Sequence, residues 1–177
     1  FFALDLDQGV ADMCNSCHQC VSLKTVPNQL VQQSSEPPPS SAYVSYSADV
    51  MKQNRQLILV LRETVSSFTS TMLITSETGP VLREAVIQLS CHMRPHTERR
   101  IVIRTDPAPG FQSIVDDPML ERLNIGIDIG FRKNKNKNPV IDRGIQELEL
   151  ELLRMTPEGG PYSASTIAVA THTMNDR

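Results

Sequence analysis

Between residues 44 and 91 the chain changes its hydrophobic rhythm twice. Val44, Tyr46, Ala48 and Val50 alternate with polar positions, the period-two pattern of a half-buried strand, which turns Asp49 to the opposite face. QLILVLRE (56–63) is a β-rich run that predicts a strand covered on both sides, and FTSTMLIT (68–75) follows a short turn containing Ser66 and Ser67. Three consecutive antiparallel strands are therefore expected. The period then lengthens. Val81, Leu82, Ala85, Val86 and Leu89 recur at helical spacing, opened by Pro80 near a first turn and stopped around Pro95.

RIVIRT (100–105) predicts a fourth strand, with Asp106 at its C-terminal end just before the breaker Pro107-Ala108-Pro109-Gly110. A short helix is expected over 117–123, and the alternation of Ile125, Ile127 and Ile129 predicts a fifth strand. FRKNKNKN (131–138) is polar and basic, the composition of a mobile loop. Pro139 starts a long helix whose stripe is Ile141, Ile145, Leu148 and Leu152 and which runs to about Met155. A final helix opens near Ser163, after Gly159-Gly160-Pro161. A β-meander followed by alternating helices and strands predicts an α/β fold, a five-stranded mixed sheet flanked by helices on the ribonuclease H-like plan.

This predicted core occupies residues 43–177. Ahead of it SSEPPPSS (34–41) cannot bury apolar surface and favours extended conformations, which makes 34–42 a linker and 1–33 a separate Cys-rich arm. The full length, 177 residues, suits one medium domain with a small appendage. The longest apolar run, Leu57 to Leu61, falls far short of the roughly 20 residues of a membrane span, so no membrane partner is expected. FFALDLD (1–7) lacks a basic start and a long apolar stretch. Secretion is therefore not expected and the cysteines are expected to be reduced. Cys14, Cys17 and Cys20 crowd into seven residues and read as a metal knuckle, whereas Cys91 is expected at a core or boundary position on its helix. His92, His96 and His172 have no partner pattern. With a net charge of -3, any nucleic-acid contact has to come from local patches.

Three acidic residues stand where backbone geometry can bring them together. Asp49 is on the first strand, Asp106 ends the fourth, and Asp142 lies in the first turn of the long helix. In a ribonuclease H-like sheet strands one and four are neighbours and the helix packs across them. Converging carboxylates suit Mg²⁺ or Mn²⁺, and two such ions support in-line displacement at a phosphodiester. Taken singly, each acid also has an ordinary role as a solvated group, or, for Asp142, as a charge complementing the helix N-terminus.

The spacing adds to this. Asp49 and Asp106 are separated by 56 residues and Asp106 and Asp142 by 35, which resembles the D, D-35-E signature of retroviral and retrotransposon integrases. SADVMKQNRQLILVLRETVSSFTSTMLI (47–74), IRTDPAPGF (103–111), NPVIDRGIQELELELLR (138–154) and STIAVATHTMNDR (165–177) look like the same family. The resemblance is strongest to integrases of BEL/Pao-type long-terminal-repeat retrotransposons, whose third motif similarly reads Asn-Pro, the catalytic acid, a basic residue and a Glu-Leu-Glu run. It implies a DNA-integrating polynucleotidyl transferase that processes 3′ ends and joins them to target DNA, with Asp49, Asp106 and Asp142 as metal ligands. It also implies double-stranded DNA as partner, a homo-oligomer, and a place in the nucleus or a cytoplasmic virus-like particle. The third acid departs from the family's usual Glu. Glu149 shares the face of Asp142 but lies about 10 Å further along the helix.

Gln146 and Glu149 stand where integrases commonly carry basic residues, which leaves DNA recognition to Arg143 and to Arg132, Lys133, Lys135 and Lys137 in the loop before the helix. Such a run suits phosphate contacts without base reading, although charge runs are also commonly just solvated. CNSCHQC (14–20) resembles the end of the integrase zinc-binding domain, with Cys17 and Cys20 as the two thiolates for Zn²⁺. The paired histidines of that site would have to precede Cys14, where only thirteen residues stand, so the chain reads as a piece of a longer polyprotein. Cys14 or His18 could instead complete another tetrahedral site, or the arm could bind nothing. Two rival functions share the fold: a non-catalytic nucleic-acid or protein-binding module derived from an integrase, and a cellular ribonuclease H-like nuclease.

Overall fold

The structure, a computed structural model, describes residues 6–17, 41–94, 99–130 and 138–176. Residues 18–40, with Cys20 and most of the expected linker, lie outside them, as does the basic loop 131–137. Leu6–Ser16 forms a helix, α1, which the polar and cysteine-rich composition there did not predict. Its Val10 and Met13 are exposed.

The core is a single five-stranded sheet in the order β3-β2-β1-β4-β5. Strands β1 (Ser45–Gln53), β2 (Gln56–Glu63) and β3 (Thr69–Ile74) form the antiparallel meander, and β4 (Ile101–Thr105) and β5 (Ile125–Ile129) add to it in parallel. The alternation in β1 and the double-sided run in β2 explain the centre of this sheet. Tyr46, Ala48, Leu59 and Leu61 enter one apolar cluster, while Met51, Ile58 and Val60 enter another on the opposite face. Between β1 and β2 the chain reverses at Asn54 and Arg55, with φ of 51° and 61°, a turn whose twist matches the strands it joins.

Helices cover both faces. On the first, α2 (Gly79–Met93) contributes Leu82, Ala85, Val86 and Leu89, and the short α3 (Pro109–Gln112) and α4 (Pro118–Arg122) contribute Phe111 and Leu120. On the second, α5 (Pro139–Met155) buries Ile141, Leu148 and Leu152, and α6 (Ala164–Asn175) adds Ile167 and Ala170. The breaker at 107–110 leads directly into α3, because Pro109 suits a first helical turn. Gly110 is required there: a Cβ on it would stand 2.0 Å from the backbone oxygen of Glu77. Cys91, expected at the core or its boundary, is exposed instead, since the buried stripe of α2 runs through Leu82, Ala85, Val86, Leu89 and Ser90.

Polar side chains fasten the second face. The Thr71 and Thr171 hydroxyls stand 2.6 Å apart, and Asn175 forms a two-way clasp on Thr69, accepting from its N–H and donating to its carbonyl, each at 2.8 Å. Gln56 does the same to Tyr162, donating at 2.8 Å and accepting at 2.5 Å. Arg62, buried on β2, donates to Glu147 of α5 at 2.7 Å, and its guanidinium lies over Gly144, where a Cβ would come within 2.9 Å of it.

Candidate active site

The parallel pairing of β1 with β4 sets Ala48 opposite Thr105. The next residues along the two strands are Asp49 and Asp106, so the acids emerge side by side at one end of the sheet. They line a cleft of about 440 Å³ together with Lys52, Glu77 and Phe111. Asp142, in the first turn of α5, lines an adjoining cleft of about 530 Å³ with Asp49, Lys52, Gln146 and Glu149. Asp49 thus belongs to both.

The start of α5 is tied to β4 by a buried residue. Asn138 donates its side-chain Nδ2 to the carbonyl of Arg104 at 3.1 Å, while its own carbonyl accepts the Asp142 N–H at 3.1 Å. Arg104 lies two positions before Asp106, so one side chain links the approaches to two of the acids. Pro139 at the first helical position lacks the N–H that would be left unpaired there.

Burial pushes the Asp49 carboxyl above its ordinary value; the Val50 N–H, bonded to its Oδ1 at 2.7 Å, opposes this, and the charges of Asp106, Asp142 and Glu77 add to the rise. Asp142 is raised as well, by burial and then by Asp106. These carboxylates feel one another's charge, which a cation would relieve. Hard oxygens are also the donor set that Mg²⁺ or Mn²⁺ takes. Among the described residues no three His, Cys, Asp or Glu side chains form a group that would hold a single ion.

The remaining expected residues fall elsewhere. Arg143 lies on another flank of α5, where it donates to Glu147 at 2.7 Å and lines a third groove with Arg62 and Phe68. Arg132, Lys133, Lys135 and Lys137 lie outside the described residues, as does Cys20; Cys17 is half-buried just beyond α1. Two members of the cleft had no signal in the sequence. Lys52 is three positions beyond Asp49 on the hairpin, and Glu77 sits in the connection before α2, where no periodicity marks it. Only the fold, through the packing of Gly110 on Glu77, brings that connection against the Asp106 loop.

No family model and no curated protein matches the sequence. Solved structures do. The catalytic core domain of BIV integrase is similar with a TM-score of 0.61 and 19% identity, over 75% of this chain and 84% of that one. A simian T-cell lymphotropic virus intasome, solved in complex with a PP2A regulatory subunit, is similar with a TM-score of 0.62 and 19% identity; the match covers 94% of this chain and 59% of that one. The chain thus has the ribonuclease H-like fold of integrase catalytic cores. Among the described residues no helix is long and apolar enough to cross a membrane.

Proposed function

We propose that the chain carries the catalytic core of a DNA-integrating polynucleotidyl transferase of the BEL/Pao-type retrotransposon kind, with Asp49, Asp106 and Asp142 as ligands for Mg²⁺ or Mn²⁺. The observation that carries this reading is the placement of these three acids, from β1, the end of β4 and the start of α5, around two adjoining clefts that share Asp49 at one end of an integrase-type sheet. Bound there, the ions would activate a water or a 3′-hydroxyl and offset charge on the leaving oxygen. The protein's part is positioning. Val50 fixes one oxygen of Asp49, the β1–β4 register fixes Asp49 beside Asp106, and Asn138 fixes the helix start that presents Asp142. Aspartate at the third position is one methylene shorter than glutamate and still offers a hard carboxylate oxygen.

Arg132, Lys133, Lys135 and Lys137 lead straight into α5 and would hold DNA phosphates, with Arg143, on a flank of α5 away from the clefts, as a further phosphate contact. Double-stranded DNA, as element ends and target, is the substrate of this reading, and a homo-oligomer holding two ends is its working form. The Cys-rich arm, with Cys17 and Cys20, would bind Zn²⁺. The nucleus or a cytoplasmic virus-like particle is where such a reaction takes place.

The test uses the full chain with Mn²⁺ or Mg²⁺ and a branched DNA oligonucleotide that reports the reversal of strand transfer. Metal-dependent resolution is expected, abolished by Asp49→Asn, Asp106→Asn or Asp142→Asn and retained by Asp142→Glu. Failure with every divalent metal, or undiminished product from Asp106→Asn, would overturn the enzyme and leave a binding module on an integrase scaffold.

A further inference from the structure

The two clefts at the sheet end are lined by Asp49, Asp106, Glu77, Asp142 and Glu149. Among the described residues lining them, Lys52 is the one positively charged side chain, and it borders both. A DNA strand entering this end of the molecule meets concentrated negative charge. Divalent ions held by the aspartates would offset that charge at the reacting phosphate, and the flanking phosphates would still face carboxylates.

Lys52 stands three residues beyond Asp49 on β1, about 10 Å along the strand, a distance of about three nucleotides along a duplex axis. Its side chain is 66% exposed, and its Nζ lies 2.7 Å from Oε1 of Glu77. The Glu77 side chain is itself about a third exposed. Exposed pairs of this kind are weak and readily exchanged for a stronger anion.

We infer that Lys52 contacts a DNA phosphate flanking the reacting one, and that Glu77 holds its ammonium at the rim of the cleft until that phosphate replaces the carboxylate. This deepens the integrase reading and rests on it. The contact would set the position of the strand and carry no sequence information. The competing explanation is that Lys52 only neutralises Glu77.

A cycle of variants in the full chain separates the two, read as affinity for a random-sequence duplex against salt concentration, without metal. Lys52→Gln is expected to weaken binding several-fold at low salt and to reduce the log–log salt slope by about 0.9, the loss of one phosphate contact, while Lys52→Arg keeps the slope. Glu77→Gln is expected to tighten binding more in the wild-type background than in Lys52→Gln. An unchanged slope in Lys52→Gln, with Tm showing that the variant is folded, would overturn the contact. Equal tightening by Glu77→Gln in both backgrounds would overturn the holding role. These readouts need no turnover. DNA binding with the Lys52-dependent slope but no metal-dependent joining would sink the integrase reading alone; joining that persists with an unchanged Lys52→Gln slope would sink this inference alone. A chain that binds no duplex at any salt would sink both.

Discussion

The two faces of the sheet fasten their helices to its strands by different means. Beneath α2, α3 and α4 lies one continuous apolar cluster running from Tyr46 and Leu59 to Ile125 and Ile127. Beneath α5 and α6 a smaller cluster is supplemented by Arg62–Glu147, Thr71–Thr171, Thr69–Asn175 and Gln56–Tyr162. Apolar burial is non-directional, and it tolerates small displacements that a hydrogen bond does not. The helix that carries Asp142 is therefore on the face whose register is fixed by directed contacts. The lesson is that the polar ties on this face locate the Asp142 carboxylate as well as contributing to stability.

The comparison can be broken first at its apolar side. Leu59→Ala, at the centre of the larger cluster, is expected to cost about 3 kcal/mol in denaturant unfolding and to leave the geometry of α5 intact. Next comes Arg62→Met, which strips a third-exposed carboxylate of its buried partner and is expected to cost about 2 kcal/mol. It should also reduce catalysis per folded molecule, because α5 loses its tie to β2; an effect on stability alone would erase the distinction between the faces. Thr171→Val, which removes a hydroxyl bonded to Thr71 and to the Ile167 carbonyl, is expected to cost about 1 kcal/mol. Breaking the exposed Arg104–Asp128 pair by Asp128→Ala should change stability by less than about 0.5 kcal/mol.

Acid sharpens the same contrast, with opposite signs on one face. Burial works to raise the Glu147 carboxyl, but the hydrogen bonds and charges of Arg62 and Arg143 outweigh it and hold the group below its ordinary value. Its contribution is present above the unfolded carboxylate pKa and is lost as pH falls through the lowered folded value. Asp49 and Asp142 are raised, so the folded state takes up their protons first and stability falls as pH rises from the ordinary carboxylate value through the folded one. Asp49→Asn should therefore raise the metal-free Tm at neutral pH while abolishing activity, and the gain should vanish in acid. A lower Tm for Asp49→Asn at pH 7 would mean that the acids do not oppose one another.

Most of the architecture was legible because periodicity reports burial directly. The strands at 56–63 and 125–129 and the helix from Pro139 to Met155 lie where the pattern put them, and the order of the five strands and the longer core helices is the expected one. The placement of Asp49 beside Asp106 was legible through strand ends, which the register of β1 on β4 accounts for. Lys52 and Glu77 were not, since a salt bridge between a hairpin and a connecting loop leaves no period in the chain. Asn138 was visible only as part of an Asn-Pro motif; its clasp on Arg104 depends on where β4 ends relative to α5. Cys91 shows the converse, a residue type that favours burial on a helix face that has none to give.

The clasps between Asn54 and Gly160, Gln56 and Tyr162, and Thr69 and Asn175 each join positions 106 residues apart. On a ribosome adding about 5–20 residues per second, roughly 5–20 s pass between the synthesis of the two halves of each clasp. Until α5 is made, Met51, Ile58 and Val60 have no helix to cover them. The meander is then a bare sheet with one face waiting, an apolar surface prone to aggregation until α5 and α6 cover it.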